Sequence, residues 1–151
     1  MPDTHRPSEQ STFRLRRRTP GSFLLVPCPK QGRSIRCQGQ LEAAAATILV
    51  SCPVVAHLQE QPKSIWYQWR DDGNGLRVEL LENHEGLRAR NEKHRGCTYA
   101  VPDFLVDMLD GKAPLLEIKP SVRLGRSTLP RKLTAMRLFA ERQGWTFHLL
   151  T

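Results

Sequence analysis

Asp103, Glu117 and Lys119 stand in two short apolar segments, Val101-Pro102-Asp103-Phe104-Leu105-Val106 and Leu115-Leu116-Glu117-Ile118-Lys119-Pro120. In a β-strand, residues two apart face the same way. Glu117 and Lys119 therefore leave one face of their strand, while Leu116 and Ile118 leave the other toward the core. Asp110-Gly111-Lys112 lies between the segments and reads as a hairpin turn, which brings Asp103 alongside Glu117. Two carboxylates at one spot repel unless a cation lies between them, and a nearby ammonium can orient and acidify a water. That combination suits hydrolysis of a phosphodiester with the help of a divalent ion.

The elements that must position these groups can be read outward from them. Residues 98–109 and 114–119 form the two site strands, the second stopped by Pro120. Upstream, strands are expected at 54–60, 64–70 and 76–81, with Asp71-Asp72-Gly73-Asn74-Gly75 as the turn between the last two. In Ile65-Trp66-Tyr67-Gln68-Trp69 the odd positions form an apolar face suited to packing against a helix. Residues 83–97 are polar, lack periodicity and read as a loop.

Residues 40–52 have a helical pattern, with Leu41, Ala45, Ile48, Leu49 and Cys52 as the apolar face, and Pro53 closes it. Glu42 falls in its first turn, where a carboxylate complements the helix dipole. A second helix is expected at 129–143, with Leu129, Leu133, Met136 and Ala140 as its buried stripe, Pro130 in the first turn and Gly144 at its end. Arg131 and Lys132 lie at its N-terminal end, against the dipole preference, and a DNA phosphate there would compensate them. A last strand, 145–150, alternates Trp145, Phe147 and Leu149 with Thr146 and His148. The order predicts an α/β (mixed α+β) fold, a mixed β-sheet flanked by helices.

Composition bounds the function. The chain has 151 residues and carries a formal charge of +8, room for one domain with a real core, placed at 27–151, behind a basic and flexible arm at 1–26. Residues 1–40 hold eight Lys or Arg against two acids, 41–119 nine against twelve, and 120–151 six against one. An acidic centre between basic flanks fits a metal pocket framed by surfaces that attract a polyanion. Cys28, Cys37, Cys52 and Cys97 form no C-x-x-C pair, which argues for reduced thiols rather than a zinc ribbon or a disulfide framework. His94 with Cys97 suggests at most a polar loop. The stretch 41–56 is broken by Glu42 and Pro53 and falls short of the roughly 20 apolar residues of a membrane helix. No signal peptide can be read, so a cytoplasmic protein is expected.

The two site segments together read as the PD-(D/E)xK pattern. In order along the chain, Pro29-Lys30-Gln31-Gly32-Arg33-Ser34, Gln40-Leu41-Glu42, Val54-Val55 with Glu60-Gln61-Pro62, Val101-Pro102-Asp103-Phe104, Glu117-Ile118-Lys119-Pro120 and Gly144-Trp145-Phe147 resemble the catalytic domain of TnsA, the endonuclease subunit of a heteromeric transposase. The resemblance implies a restriction-endonuclease-like core and Mg²⁺-dependent cleavage of double-stranded DNA at the 5′ ends of a transposon, with Mn²⁺ as a substitute. It implies two partners, an integrase-like transposase subunit and a regulatory ATPase, and for many members a further C-terminal domain. It makes Glu42, Asp103, Glu117 and Lys119 the catalytic residues, with Asp103, Glu117 and Glu42 on the metal. Lys132, Arg131 and Lys30 are then the expected DNA contacts, and Gln61 a pocket residue. The family helix commonly carries an acid four residues before its glutamate and an acid-basic pair just after, where this chain has Gln38 and alanines. Two other readings stay open: a stand-alone PD-(D/E)xK nuclease of phage or repair, and a non-catalytic DNA-binding or assembly module.

Overall fold

The computed structural model describes residues 23–82 and 96–151. Most of the expected N-terminal arm, residues 83–95 of the loop expected at 83–97, and His94 lie outside the described residues, while Cys97 opens a strand. The elements are β1 (Leu24–Cys28), β2 (Arg33–Cys37), α1 (Gln40–Ser51), β3 (Val55–Glu60), β4 (Ile65–Asp71), β5 (Leu76–Leu80), β6 (Cys97–Ala100), β7 (Phe104–Met108), β8 (Pro114–Ile118), α2 (Leu129–Gln143) and β9 (Thr146–Leu150). The hairpin β1–β2 starts at Leu24, ahead of the expected domain boundary at 27, and gave no alternating signal strong enough to be read from the sequence.

A four-stranded sheet in the order β3-β7-β8-β9 forms the middle of the molecule, and a three-stranded sheet β5-β4-β6 and the β1–β2 hairpin flank it. The pairs β3–β7 and β7–β8 are antiparallel, and β9 joins β8 in parallel after α2 has crossed between them. Both faces of the central sheet are buried. Phe104, Val106, Leu116 and Ile118 pack with Ile35, Leu58 and Ala46 of α1 on one face. Leu105 and Leu115 pack with Tyr67 and with Ala135, Met136 and Ala140 of α2 on the other. This explains why the site strands read as unbroken apolar runs: a strand covered on both sides has no solvent face to alternate toward. Phe104 and Tyr67 are fully buried, each contributing about 2–3 kcal/mol of burial.

Three expectations are corrected. The single strand expected at 98–109 is two strands in different sheets, because Pro102 offers no amide for a ladder and the chain bends at Asp103. The inward face of α1 is shifted from the expected stripe: Ala45, Leu49 and Cys52 pack against the core as expected, Leu41 and Ile48 are exposed, and Ala43, Ala46 and Val50 take their place. Glu42 shares that face, at helical spacing from Ala46 and Leu49. Finally, the Glu117 side of β8 is not a solvated front, since Leu115 and Glu117 are both buried. The second helix keeps Leu129, Met136 and Ala140 buried as expected, adds Ala135, and ends at Gly144 with φ 74°. The odd positions of β4 pack toward it, while Trp66 turns to the other face and stacks on Tyr99 with ring centroids 5.0 Å apart.

Candidate active site

The register of β7 and β8 pairs Phe104 with Leu116, and its continuation sets Asp103 opposite Glu117. Asp103, on the bend just before β7, and Glu117 thus form a cross-strand pair, and Asp103 lies within electrostatic reach of Glu42 of α1 as well as of Glu117. Alternate amides of β8 point to its two neighbours. Lys119 donates its main-chain N–H to Leu150 of the β9 side at 2.9 Å. The Ile118 N–H faces β7, where Oδ2 of Asp103 accepts it at 2.7 Å. The main chain of Asp103 is fixed as well: its N–H donates to Leu116 O at 3.0 Å, and its carbonyl accepts from the Gln61 N–H at 2.8 Å.

Lys119 extends two residues past Glu117 on the same side, and its ammonium meets Oε1 of Glu117 at 2.5 Å. Glu117 is 2% exposed and Asp103 7%. Burial is the main cause that drives the Asp103 carboxyl well above its ordinary 3.8, and the charges of Glu117 and Glu42 push it further. The Ile118 amide and the Lys119 ammonium pull it back only in part. The arrangement thus concentrates more negative charge than the protein itself compensates.

Glu42 belongs to this electrostatic cluster through its action on Asp103, while its Oε2 accepts the Gln38 N–H at 2.9 Å. It reaches back over the start of α1 in the manner of one half of a capping box. Cys37, fully buried, lies within the field of Glu42, Glu60 and Asp103; burial first and those charges second push its thiol up to about 12. Among the described residues, no three His, Cys, Asp or Glu side chains close around a point as a complete metal cage. The pair Asp103 and Glu117 is what two adjacent strands bring together.

The other expected site residues have different surroundings. Lys30 sends its ammonium to the carbonyls of Cys52 and Val55 at 3.0 and 2.6 Å, tying the end of α1 to the start of β3. Arg131 lays its guanidinium on the Trp69 ring, 4.1 Å from the centroid, beside the buried Tyr67. Both cations are engaged within the fold. Lys132 is half-buried on the first turn of α2, and the cation acting on Asp103 is Lys119. Gln61 is buried next to Asp103.

A third buried carboxylate escaped sequence reasoning. Glu60 receives Arg33 on both oxygens at 2.9 Å and the Arg36 N–H at 2.7 Å. Gln31 mimics a strand partner for Leu58, accepting its N–H at 2.8 Å and donating to its carbonyl at 3.0 Å. Lys30, Gln31 and Arg33 thus staple the β1–β2 turn onto β3. The turn signal was present in Gly32, which takes φ 65°, but nothing local discloses which distant strand the flanking side chains grip.

A mixed sheet with a helix on each face is the architecture of the restriction-endonuclease-like kind, and Asp103, Glu117 and Lys119 lie at the ends of two of its adjacent middle strands. Residues 52–151 match the family described as TnsA-like endonuclease N terminal, and the chain belongs to that family. Membership makes it a nuclease of the transposition type with DNA as substrate. The matched span contains Gln61, Asp103, Glu117 and Lys119 and begins after Glu42. None of the curated proteins compared with the chain matches it. Among the described residues, no helix is long and apolar enough to cross a membrane.

Proposed function

We propose that the chain is the Mg²⁺-dependent DNA endonuclease of a heteromeric transposase, cutting the 5′ ends of a transposon. The observation that carries this reading is the buried Asp103–Glu117 pair with Lys119 bound to one of its carboxylates. The donor set fits the ion: carboxylate oxygens, with the main-chain carbonyl of Ile118 on the same side of β8 as its amide, are ligands that hard divalent cations prefer. Excess negative charge at Asp103 supports the fit, because a cation there would relieve it.

Asp103 and Glu117 would hold Mg²⁺, with Glu42 acting directly or through water. The ion supplies polarisation of the phosphodiester and of a water when bound. Lys119, anchored on Glu117, orients the attacking water and stabilises its deprotonated form by its positive charge. Attack in line with the leaving oxygen gives a 5′-phosphate and a 3′-hydroxyl. Burial of the pair excludes bulk water and strengthens each of these interactions. Lys132 on the first turn of α2 would hold the phosphate of the scissile strand.

Calorimetric titration of Mg²⁺ and Mn²⁺ into the wild type and into Asp103→Ala and Glu117→Ala tests the reading. Binding in the wild type and its loss in both variants are expected, together with metal-dependent cleavage of transposon-end DNA when an integrase-like subunit is added. DNA binding that depends on salt but not on a divalent ion would favour a non-catalytic module instead. Efficient cutting of arbitrary DNA without a partner would favour a stand-alone nuclease.

A further inference from the structure

Gln61 has φ 43°, the one positive φ of a non-glycine residue among those described. A long side chain in this region of backbone space is strained, and glycine or asparagine would adopt it with little penalty. Pro62 follows directly and narrows the backbone options further. Strain of this kind persists where the surrounding structure fixes it, and it concentrates at functional sites. Here the fixing contacts are visible: Glu60 ends β3 in register with Phe104, and the Gln61 N–H is bound to the Asp103 carbonyl at 2.8 Å.

Position adds to the argument. Continuing the registers of β3, β7 and β8 sets Gln61, Asp103 and Glu117 in one row across three neighbouring strands. Gln61 is 7% exposed, so its carboxamide is placed within the fold rather than left in solvent. The main-chain bond to Asp103 would survive with glycine at this position, which leaves the side chain as the reason for tolerating the strain. An amide also suits the row chemically. It offers a donor and an acceptor without adding charge to a cluster that already holds two carboxylates.

We propose that the Gln61 carboxamide is a further substrate-contacting residue of the nuclease site, donating a hydrogen bond to a non-bridging oxygen of the phosphodiester held beside Asp103. The strained turn is the device that presents it. This rests on the nuclease reading above and adds to it an uncharged phosphate-binding group.

Gln61→Gly separates the possibilities, because it keeps the main-chain N–H and removes both the strain and the carboxamide. The glycine variant should melt at the same temperature as the wild type or about 2–5 °C higher. It should bind Mg²⁺ within about threefold of wild-type affinity, yet turn over DNA about 10²-fold more slowly, the loss typical of one transition-state donor. Gln61→Asn, which tolerates the same backbone, should recover part of that loss. A glycine variant cleaving at the wild-type rate overturns the inference while leaving the nuclease reading intact. A glycine variant that melts well below the wild type also overturns it, by making the side chain a packing element. A wild type that neither binds Mg²⁺ nor cuts DNA overturns the nuclease reading and this inference together.

Discussion

Glu60 and Asp103 lie at the ends of neighbouring strands of one sheet and are buried to almost the same degree, 2% and 7% exposed, but their surroundings oppose each other. Glu60 is answered on both oxygens by Arg33 and by the Arg36 amide. Asp103 has one amide donor and a shared lysine against two neighbouring carboxylates. A buried charge that is fully matched is part of the scaffold, and its partners are its purpose. One left under-compensated costs stability, and the cost is recovered only when something positive arrives from outside.

The contrast can be broken most forcefully at the proposed site. Asp103→Ala, Glu117→Ala and Lys119→Ala should each lower metal-dependent cleavage by about 10³-fold or more while circular dichroism stays native. Full activity in any one of them removes that residue from the mechanism. The next largest effect belongs to the matched carboxylate. Arg33→Ala leaves Glu60 charged and buried, and should cost about 3–5 kcal/mol in urea unfolding. A loss below about 1 kcal/mol would show that water replaces the guanidinium freely.

A smaller effect of opposite sign is expected from Asp103→Asn, which keeps an acceptor for the Ile118 amide. Asp103 holds its proton more tightly folded than unfolded, so the folded chain carries the extra proton between pH 3.8 and the raised folded value. Metal-free stability therefore falls as pH rises through that interval. The asparagine variant should lack this fall and melt a few degrees higher than the wild type at neutral pH; a lower melting point would assign Asp103 a structural role. Least affected should be Arg131→Ala, which loses the stack on Trp69 and about 1–2 kcal/mol, with cleavage within about threefold of wild type. A drop in DNA affinity equal to that of a phosphate-binding lysine would support the expected place of Arg131 in the DNA interface.

Much of this was legible in the residues. The E-x-K spacing, the Pro-Asp in an apolar run and the Asp110-Gly111-Lys112 turn suffice to place Asp103 against Glu117, because strand periodicity and hairpin geometry are local rules. The helix at Leu129–Gln143 was readable for the same reason: its stripe, its proline and its terminal glycine agree. What escaped depends on distant partners. The internal contacts of Lys30 and Arg131 were not legible, since a cation that grips a carbonyl 25 residues away, or an indole on a neighbouring strand, leaves no periodic trace. The inward face of α1 was placed only in part, with Leu41 and Ile48 exposed and Ala43 and Ala46 turned inward, because alanines look apolar on every side and packing alone decides which of them to cover.

Asp103 hangs from a main chain gripped at both poles, its amide by Leu116 and its carbonyl by Gln61. In the proposed reaction the carboxylate would have only its own χ1 and χ2 to adjust. A DNA strand entering misaligned by about an ångström could not be followed by this group and would react far more slowly. Accuracy in choosing the scissile bond would then reside in how the duplex is delivered, with the pivot at Asp103 acting as a fixed gauge.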